Sequence, residues 1–441
     1  MQKILLLIAS LFYFNFILAE NEIKSWQGIH ETPLSRLEQQ FAEPPVEFAN
    51  HVIWGWEGKM DKKTICNDLD SIKKKGFRAV IFEAGYKLPF KYLSEEWFKA
   101  IRTGVLEAKK RGMKVWIIDE GKYPSGFAGG KFSQERPDLR MQALVIGDTI
   151  QIKRGEVMTN HKIAPEIISA VAVSTSGAPN RTVAINNGEI SFNAGLDDWK
   201  ILLVKSDFRT AVTRAVNNPN GGKDATNSLC DYLNPVAVQQ FIDWTHEQYK
   251  KYLGKELGTT VLGFRGDEPD YAHLPWTPSI VQTFKDTKGY DPTPYLASFF
   301  TASPTIQEQR VKADYWDVWS SLFATHFFKL QADWCAANGV AHITHLNKEH
   351  EMPACVKAEG DYFRNLSKVQ IPGVDAIWNQ IWPGTLNDFP KLASSVAHVY
   401  GKPRAFSESF AAYHISPTIP QAKFVVDHQI ARGINFFEFM F

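Results

Sequence analysis

The stretch "FRGDEPDY" (264–271) places Asp267 and Glu268 directly after the apolar run "TTVLG", with Pro269 restricting the backbone that follows. A further acid, Glu408 in "SESF" (407–410), also closes a short apolar segment, 140 residues along the chain. Two carboxyl groups that meet across a cleft can divide a hydrolysis between them. One donates a proton to the departing oxygen, and the other activates water or attacks carbon. The donor has to keep its proton near neutral pH, which burial or a like-charged neighbour such as Asp267 would arrange. Arg265 pulls the other way, because an ion pair lowers a carboxyl pKa. Strand alternation sets Arg265 and Asp267 on one face and Glu268 on the opposite one.

Acids so far apart need a scaffold that brings them together. "HVIWGWEG" (51–58), "FRAVIFEAG" (77–85) and "MKVWIIDEG" (113–121) read as apolar strands, with amphipathic helices over 61–75 and 94–112 between them. That alternation predicts a parallel α/β sheet. The rhythm breaks between 141 and 225, where short alternating strands separated by Gly, Asn and Ser turns predict an inserted β-rich subdomain. It resumes with a helix opening at Asn234-Pro235, an N-cap followed by proline in the first turn. Strand four is "TTVLGFRGDEPD", long helices follow over 306–339, and strands five to eight fall at 340–349, 374–382, 404–410 and 434–441. Eight strands in this order predict an α/β fold, a (β/α)8 TIM-like barrel. Residues 20–140 form its first part and 226–441 the remainder. The sequence ends on the eighth strand without the closing helix, and a truncated form is expected.

Active sites of such barrels lie at the carboxyl ends of the strands. Those ends carry Trp54, Trp56 and Glu57, then Glu83, then Asp119 and Glu120. Asp267 and Glu268 follow, then His345, Asn347 and Glu349, then Trp378 and Asn379, and finally Glu408 and Glu438. Any one of these acids is as often a solvated loop residue, yet so many on one rim predict an acid-lined pocket. Glu268 and Glu408, from strands on opposite sides of the barrel, are the expected catalytic pair. Asp119, Glu120, Trp54, Trp56, His345, Asn347, Trp378 and Asn379 are expected to bind substrate. Indoles suit sugar faces, although most of the 13 Trp, 14 Tyr and 30 Phe must fill core.

The loop "YPSGFAGG" (123–130) has Pro124, Gly126, Gly129 and Gly130, a tight turn in which backbone can approach a ligand. Gly130-Lys131 is followed by Phe132, so the ending of a nucleotide phosphate loop is missing. Cys66, Cys230, Cys335 and Cys355 lie far apart and form no zinc-type pair, and no EF-hand spacing is present. Lys+Arg number 49 against Asp+Glu 48, a balance that argues against nucleic acid as partner. The opening segment "MQKILLLIASLFYFNFILAEN" predicts a signal peptide over 1–19, cut after Ala19, and hence a secreted or periplasmic protein. Its apolar run, interrupted by Asn15, is shorter than the ~20 residues a membrane span needs. No cysteine follows it for lipid attachment, and no span is expected in the mature chain.

Five stretches resemble the catalytic domain of glycoside hydrolase family 106: "DEGKYPSGFAGGKF" (119–132), "DYLNPVAVQQFIDWTHEQY" (231–249), "FRGDEPDY", "GDYFRNLSKVQIPGVDAIW" (360–378) and "SESF". The resemblance covers most of the chain from about 45 to 441, with "YPSGFAGG" its most specific piece. It implies an inverting, calcium-dependent α-L-rhamnosidase acting on a rhamnose-containing polysaccharide or glycoconjugate. The family's acid and base glutamates fall at Glu268 and Glu408. Ca²⁺ enters by resemblance alone, to orient the cis-diol of the sugar, and no metal ligands are assigned. The C-terminal β domains usual in the family are absent from this sequence. Two alternatives stand beside this one. A retaining glycosidase of other specificity would also carry an acid on strand four and a nucleophile on strand seven. A non-catalytic carbohydrate-binding protein on the same scaffold would be marked by loss of one carboxylate.

Overall fold

The computed structural model describes residues 33–440 apart from 122, 211, 212, 215–222, 225–227, 272, 273, 303, 386 and 414–416. The expected signal peptide, 1–19, lies outside the described residues. Eight strands close into a barrel: β1 (His51–Trp56), β2 (Ala79–Ala84), β3 (Lys114–Ile118), β4 (Val261–Gly266), β5 (Ala341–Thr344), β6 (Ile371–Ala376), β7 (Phe406–Ser409) and β8 (Phe436–Phe439). Neighbours pair in chain order and in parallel, and β8 returns to β1 through His51↔Glu438 and Val52↔Phe439. Helices begin where the sequence supplies a cap. Asp61 accepts from Thr64 N (2.9 Å), Ser94 from Trp97 N (3.3 Å) and Asn234 from Val236 N (3.0 Å). Each cap satisfies an orphan amide and is worth about 1 kcal/mol.

Alternation along the strands sorts side chains into two layers. Ile81, Trp116, Ile118, Ile343, Phe406 and Phe436 point inward and fill the barrel. Trp56, Phe82, Val115 and Phe264 point outward and pack beneath helical residues such as Trp97 and Ile101. β6 starts three residues earlier than the expected 374–382, because Pro372 and Gly373 lie inside the strand and do not interrupt it. Gly373 makes room for the Phe406 ring, 2.1 Å from where a Cβ would stand. Trp378 and Asn379 therefore fall in the turn after the strand.

Between β3 and the helix Pro235–Trp244 the described residues build two main antiparallel sheets, besides a short antiparallel pairing of Thr213–Arg214 with Lys223–Asp224. The larger runs in the order Pro275–Trp276, Gln142–Ile152, Trp199–Phe208, Ile167–Ser174, Arg181–Thr182. The smaller joins Val157–Lys162, Glu189–Asn193 and Ile185–Asn186. Ile201 and Leu203 share a local core with Ile190 and Phe192, while the alternate Leu202 and Val204 face the main core with Val238 and Phe323. One strand of the larger sheet, Pro275–Trp276, comes from beyond β4, outside the expected 141–225 unit. Among the described residues no helix is long and apolar enough to cross a membrane.

Candidate active site

Strand parity decides what faces the mouth of the barrel. Inward positions at the carboxyl ends place Ile53, Glu83, Ile118, Arg265, His345, Asp375 and Glu408 around a cleft of about 420 Å³. Tyr123, Asp267, Glu268, Asn347 and Trp378 complete its walls. Glu268 lies two residues beyond β4, and its φ of +38° breaks the alternation that would have directed it away. Its side chain turns into the cleft and joins Glu408 there. Such backbone costs about 1–3 kcal/mol at a non-glycine residue and gathers at functional sites. Lys348, Trp378 and Asn379 hold positive φ on the same rim, at 64°, 55° and 57°.

The two glutamates meet different neighbours. Arg265, fully buried, makes ion pairs with Asp267 (2.7 Å), Glu438 (3.2 Å) and Glu408. Burial alone would raise Glu408, but the Arg265 guanidinium and the His345 ring outweigh it and hold it down at about 2. Glu268 makes no such ion pair among the described residues. Burial raises it to about 8, the charges of Asp267, Glu349 and Glu408 add to the rise, and His345 opposes it. The ion pair with Arg265 that could have lowered the acid is thus spent on Asp267 and Glu408.

His345 stands between the pair. Its Nε2 is 2.8 Å from Arg265 Nη2 and 3.3 Å from Glu408 Oε2, and its Nδ1 donates to the Leu346 carbonyl (3.0 Å). Arginine only donates, so the first contact is a hydrogen bond when Nε2 bears its lone pair and the second when it carries a proton. Burial and Arg265 push the ring down, yet Glu408 and Glu349 outweigh them and raise it to about 9. Asp375, pushed well above the usual carboxyl range by burial, then by Glu408 and Glu268, pairs in register with Glu408.

Other expected binding residues have different places. Trp54 and Trp56 are not in the cleft: Ile53 takes the inward position, so both indoles point outward, where each packs against Phe82. Glu120 is buried and serves the loop, accepting from Gly121 N (2.6 Å), Gly129 N (3.0 Å) and Ala128 N. Asp119 is buried below the cleft, accepting from Ser125 Oγ (2.7 Å), and Ser125 Oγ accepts in turn from Asp267 N (2.6 Å). The "YPSGFAGG" loop therefore braces the end of β4, with Ser125 N also donating to Asp267 O (2.8 Å), while the amides of Ala128 and Gly129 turn to Glu120. Gly126, at φ +95°, is required because a Cβ would meet Tyr232 at 2.5 Å. Asn347 lines the cleft and its Nδ2 donates to Asp270 (3.3 Å), whereas Asn379 lies outside the lining with its Oδ1 buried and unpartnered. Trp378 lines the cleft and is 53% exposed, open enough to stack on a sugar. Asp375 and Tyr123 were not legible as site residues; Asp375 would have been, had the strand been started at Ile371.

Two groups of possible metal donors occupy the cleft, Asp267–His345–Glu408 and Glu268–His345–Asp375, with the donor atoms of each within 4.8 Å of one another. The first is already neutralised by Arg265. In the second, Asp375 Oδ1 is buried without a hydrogen-bond partner. Carboxylate oxygens of this kind fit a hard cation such as Ca²⁺, and the imidazole does not.

A (β/α)8 barrel whose strand-end glutamates differ this sharply in proton affinity is equipped for acid–base cleavage of a glycosidic bond. Residues 180–440 match the model of glycoside hydrolase family 106, described as alpha-L-rhamnosidase. The chain belongs to that family. A rhamnosidase structure from Novosphingobium sp. PP1Y superposes with a TM-score of 0.67 at 15% identity, over 93% of this chain and 56% of that one. A curated protein of Formosa agariphila, named "Putative beta-glucuronidase", is 24% identical over 92% of this chain and 38% of its own length. The chain thus spans well under two thirds of each relative.

Proposed function

We propose that this chain is the catalytic unit of an exported, inverting α-L-rhamnosidase. The observation that carries the reading is the opposite ionisation of Glu268 and Glu408 within one cleft of a family member. Glu268 gives its proton to the glycosidic oxygen as the bond from that oxygen to the anomeric carbon breaks. Glu408, kept ionised by Arg265, takes a proton from the water whose oxygen attacks that carbon from the opposite face. The sugar leaves with its anomeric configuration inverted, and the two carboxyl groups regain their starting states by exchange with solvent. Trp378 supplies an apolar face to the ring. Asp375 would hold Ca²⁺ through its unpartnered oxygen. When bound, the ion supplies positive charge that gathers neighbouring sugar hydroxyls.

The name of the Formosa relative suggests a second reading, cleavage of a glucuronide. A uronate needs a basic side chain free to pair with it, and both basic side chains described in the cleft lining are already engaged: Arg265 with Asp267 and Glu408, His345 with Glu408. A neutral deoxy sugar is favoured. The test is turnover of nitrophenyl α-L-rhamnoside against nitrophenyl β-D-glucuronide, with the first-formed anomer read by proton NMR. Turnover of the glucuronide alone, or release of the retained anomer, would displace the reading. Activity should fall after chelation and return with Ca²⁺; full activity in excess chelator would remove the metal from it.

A further inference from the structure

A second concavity adjoins the acid cleft and carries the opposite charge. Its volume is about 750 Å³, and it lies between Asp270–Tyr271, Phe299–Phe300, Trp316 and the helix Met352–Glu359. The two spaces share a wall. Asp270 follows Glu268 by two residues and accepts from Asn347 of the cleft, and Lys348, next after Asn347, turns into the second space. Three ammonium groups, Lys312, Lys348 and Lys357, are set there against one carboxylate, Asp270, among the described lining residues. All three lysines are exposed, and neither Lys312 nor Lys357 makes a salt bridge among the described residues. Trp316, partly open, is held edge-on by Phe299 (6.2 Å) and Trp319 (5.7 Å).

We propose that this cavity binds the part of the substrate beyond the cleaved bond, and that this part is anionic: an oligosaccharide bearing carboxylate or sulfate groups. Its sugars stack on Trp316 and Phe299 while its acid groups meet the three lysines. The proposal rests on the hydrolase reading only for orientation. An acid-lined cleft repels anionic units and accepts a neutral terminal sugar; the basic cavity does the reverse. The pair of fields decides which end of the chain enters.

The test is calorimetric titration of the full chain with three probes of equal length: an oligogalacturonate, a sulfated oligosaccharide and an uncharged oligosaccharide. At least one anionic probe should bind, more weakly as salt rises, and more tightly than the uncharged one. The tighter of the two anionic probes identifies the acid group. Each exposed charge pair is worth a few-fold in affinity, so the double variant Lys312→Ala/Lys357→Ala should bind about tenfold more weakly. Its turnover of nitrophenyl α-L-rhamnoside, whose aglycone bears no acid group, should be unchanged. Equal binding of the uncharged probe, no binding of any probe, or unaltered affinity in the double variant would overturn the proposal. Binding is read without turnover, so a chain inactive on rhamnosides would sink the hydrolase reading and leave this one standing.

Discussion

If Glu268 is the proposed proton donor, raising the pH removes the proton it would deliver, and its raised pKa sets how steeply the rate falls. With its pKa at about 8, Glu268 is roughly nine-tenths protonated at pH 7 and roughly one-tenth at pH 9. A glutamate at its ordinary value would hold only about 0.3% of its protons at pH 7. For a rhamnosyl disaccharide, whose departing oxygen needs protonation, kcat/KM should fall about tenfold between pH 7 and pH 9. A nitrophenyl leaving group needs little protonation, so its rate should fall less than about threefold over the same range. Glu268→Gln should abolish the basic limb on the disaccharide and lower its rate by roughly 10²–10⁴, while the nitrophenyl substrate is largely spared. Glu408, held at about 2, stays ionised throughout and adds no limb of its own in this window, whereas His345, raised to about 9, accounts for any limb that remains at higher pH. The assay is kcat/KM from pH 5 to 10 for both substrates and both proteins. A limb near pH 8 that survives in Glu268→Gln, or equal limbs for the two leaving groups, would refute the assignment.

Other perturbations separate the remaining residues. Glu408→Gln should lose roughly 10²–10⁴ in rate on both substrate types, since no leaving group relieves the need to deprotonate water; a selective loss on one type would contradict its role. Trp378→Ala should raise KM by about tenfold with little change in kcat, as expected for lost stacking on a partly exposed indole; unchanged KM would remove it from the sugar site. Trp56→Ala should destabilise the fold by about 3–5 kcal/mol in denaturant titration, because that side chain is core. Glu120→Ala should strand three loop amides and cost roughly 1–3 kcal/mol, read as a lowered Tm.

The barrel is legible in the sequence because buried parallel strands appear as apolar runs at regular spacing, and each run ends where the mouth must be. Glu268, Glu408 and His345 were found by that route. Side-chain direction was harder. The run "HVIWGW" offers apolar residues at both parities, so nothing local says that Ile53 and not Trp54 or Trp56 faces inward. Alternation sent Glu268 the wrong way, since a positive φ after the strand is a tertiary constraint with no residue signature at a glutamate. Asp375 is hidden in the sequence because Pro372 and Gly373 resemble strand breakers. Glu120 resembles a ligand contact in the sequence, because an acid that accepts backbone amides has the same letter as one that meets a sugar.

The edge strand Pro275–Trp276 has a bearing on how the acid is kept in place. Within eight residues of Glu268 the chain pairs with Gln142 and Ala143, Leu144 N donates to Leu274 O (3.0 Å), and Tyr315 Oη donates to Pro275 O (2.6 Å). The connection that leaves the barrel after Glu268 is therefore anchored in a sheet whose partner strand lies more than a hundred residues earlier. Cooperative units of this kind open together. The amides of Leu144 and Trp276 should exchange with solvent at a common rate, slower than a free loop permits. Trimming the insertion to obtain a minimal barrel would then loosen Glu268 along with the sheet, so a minimal barrel has to keep this sheet.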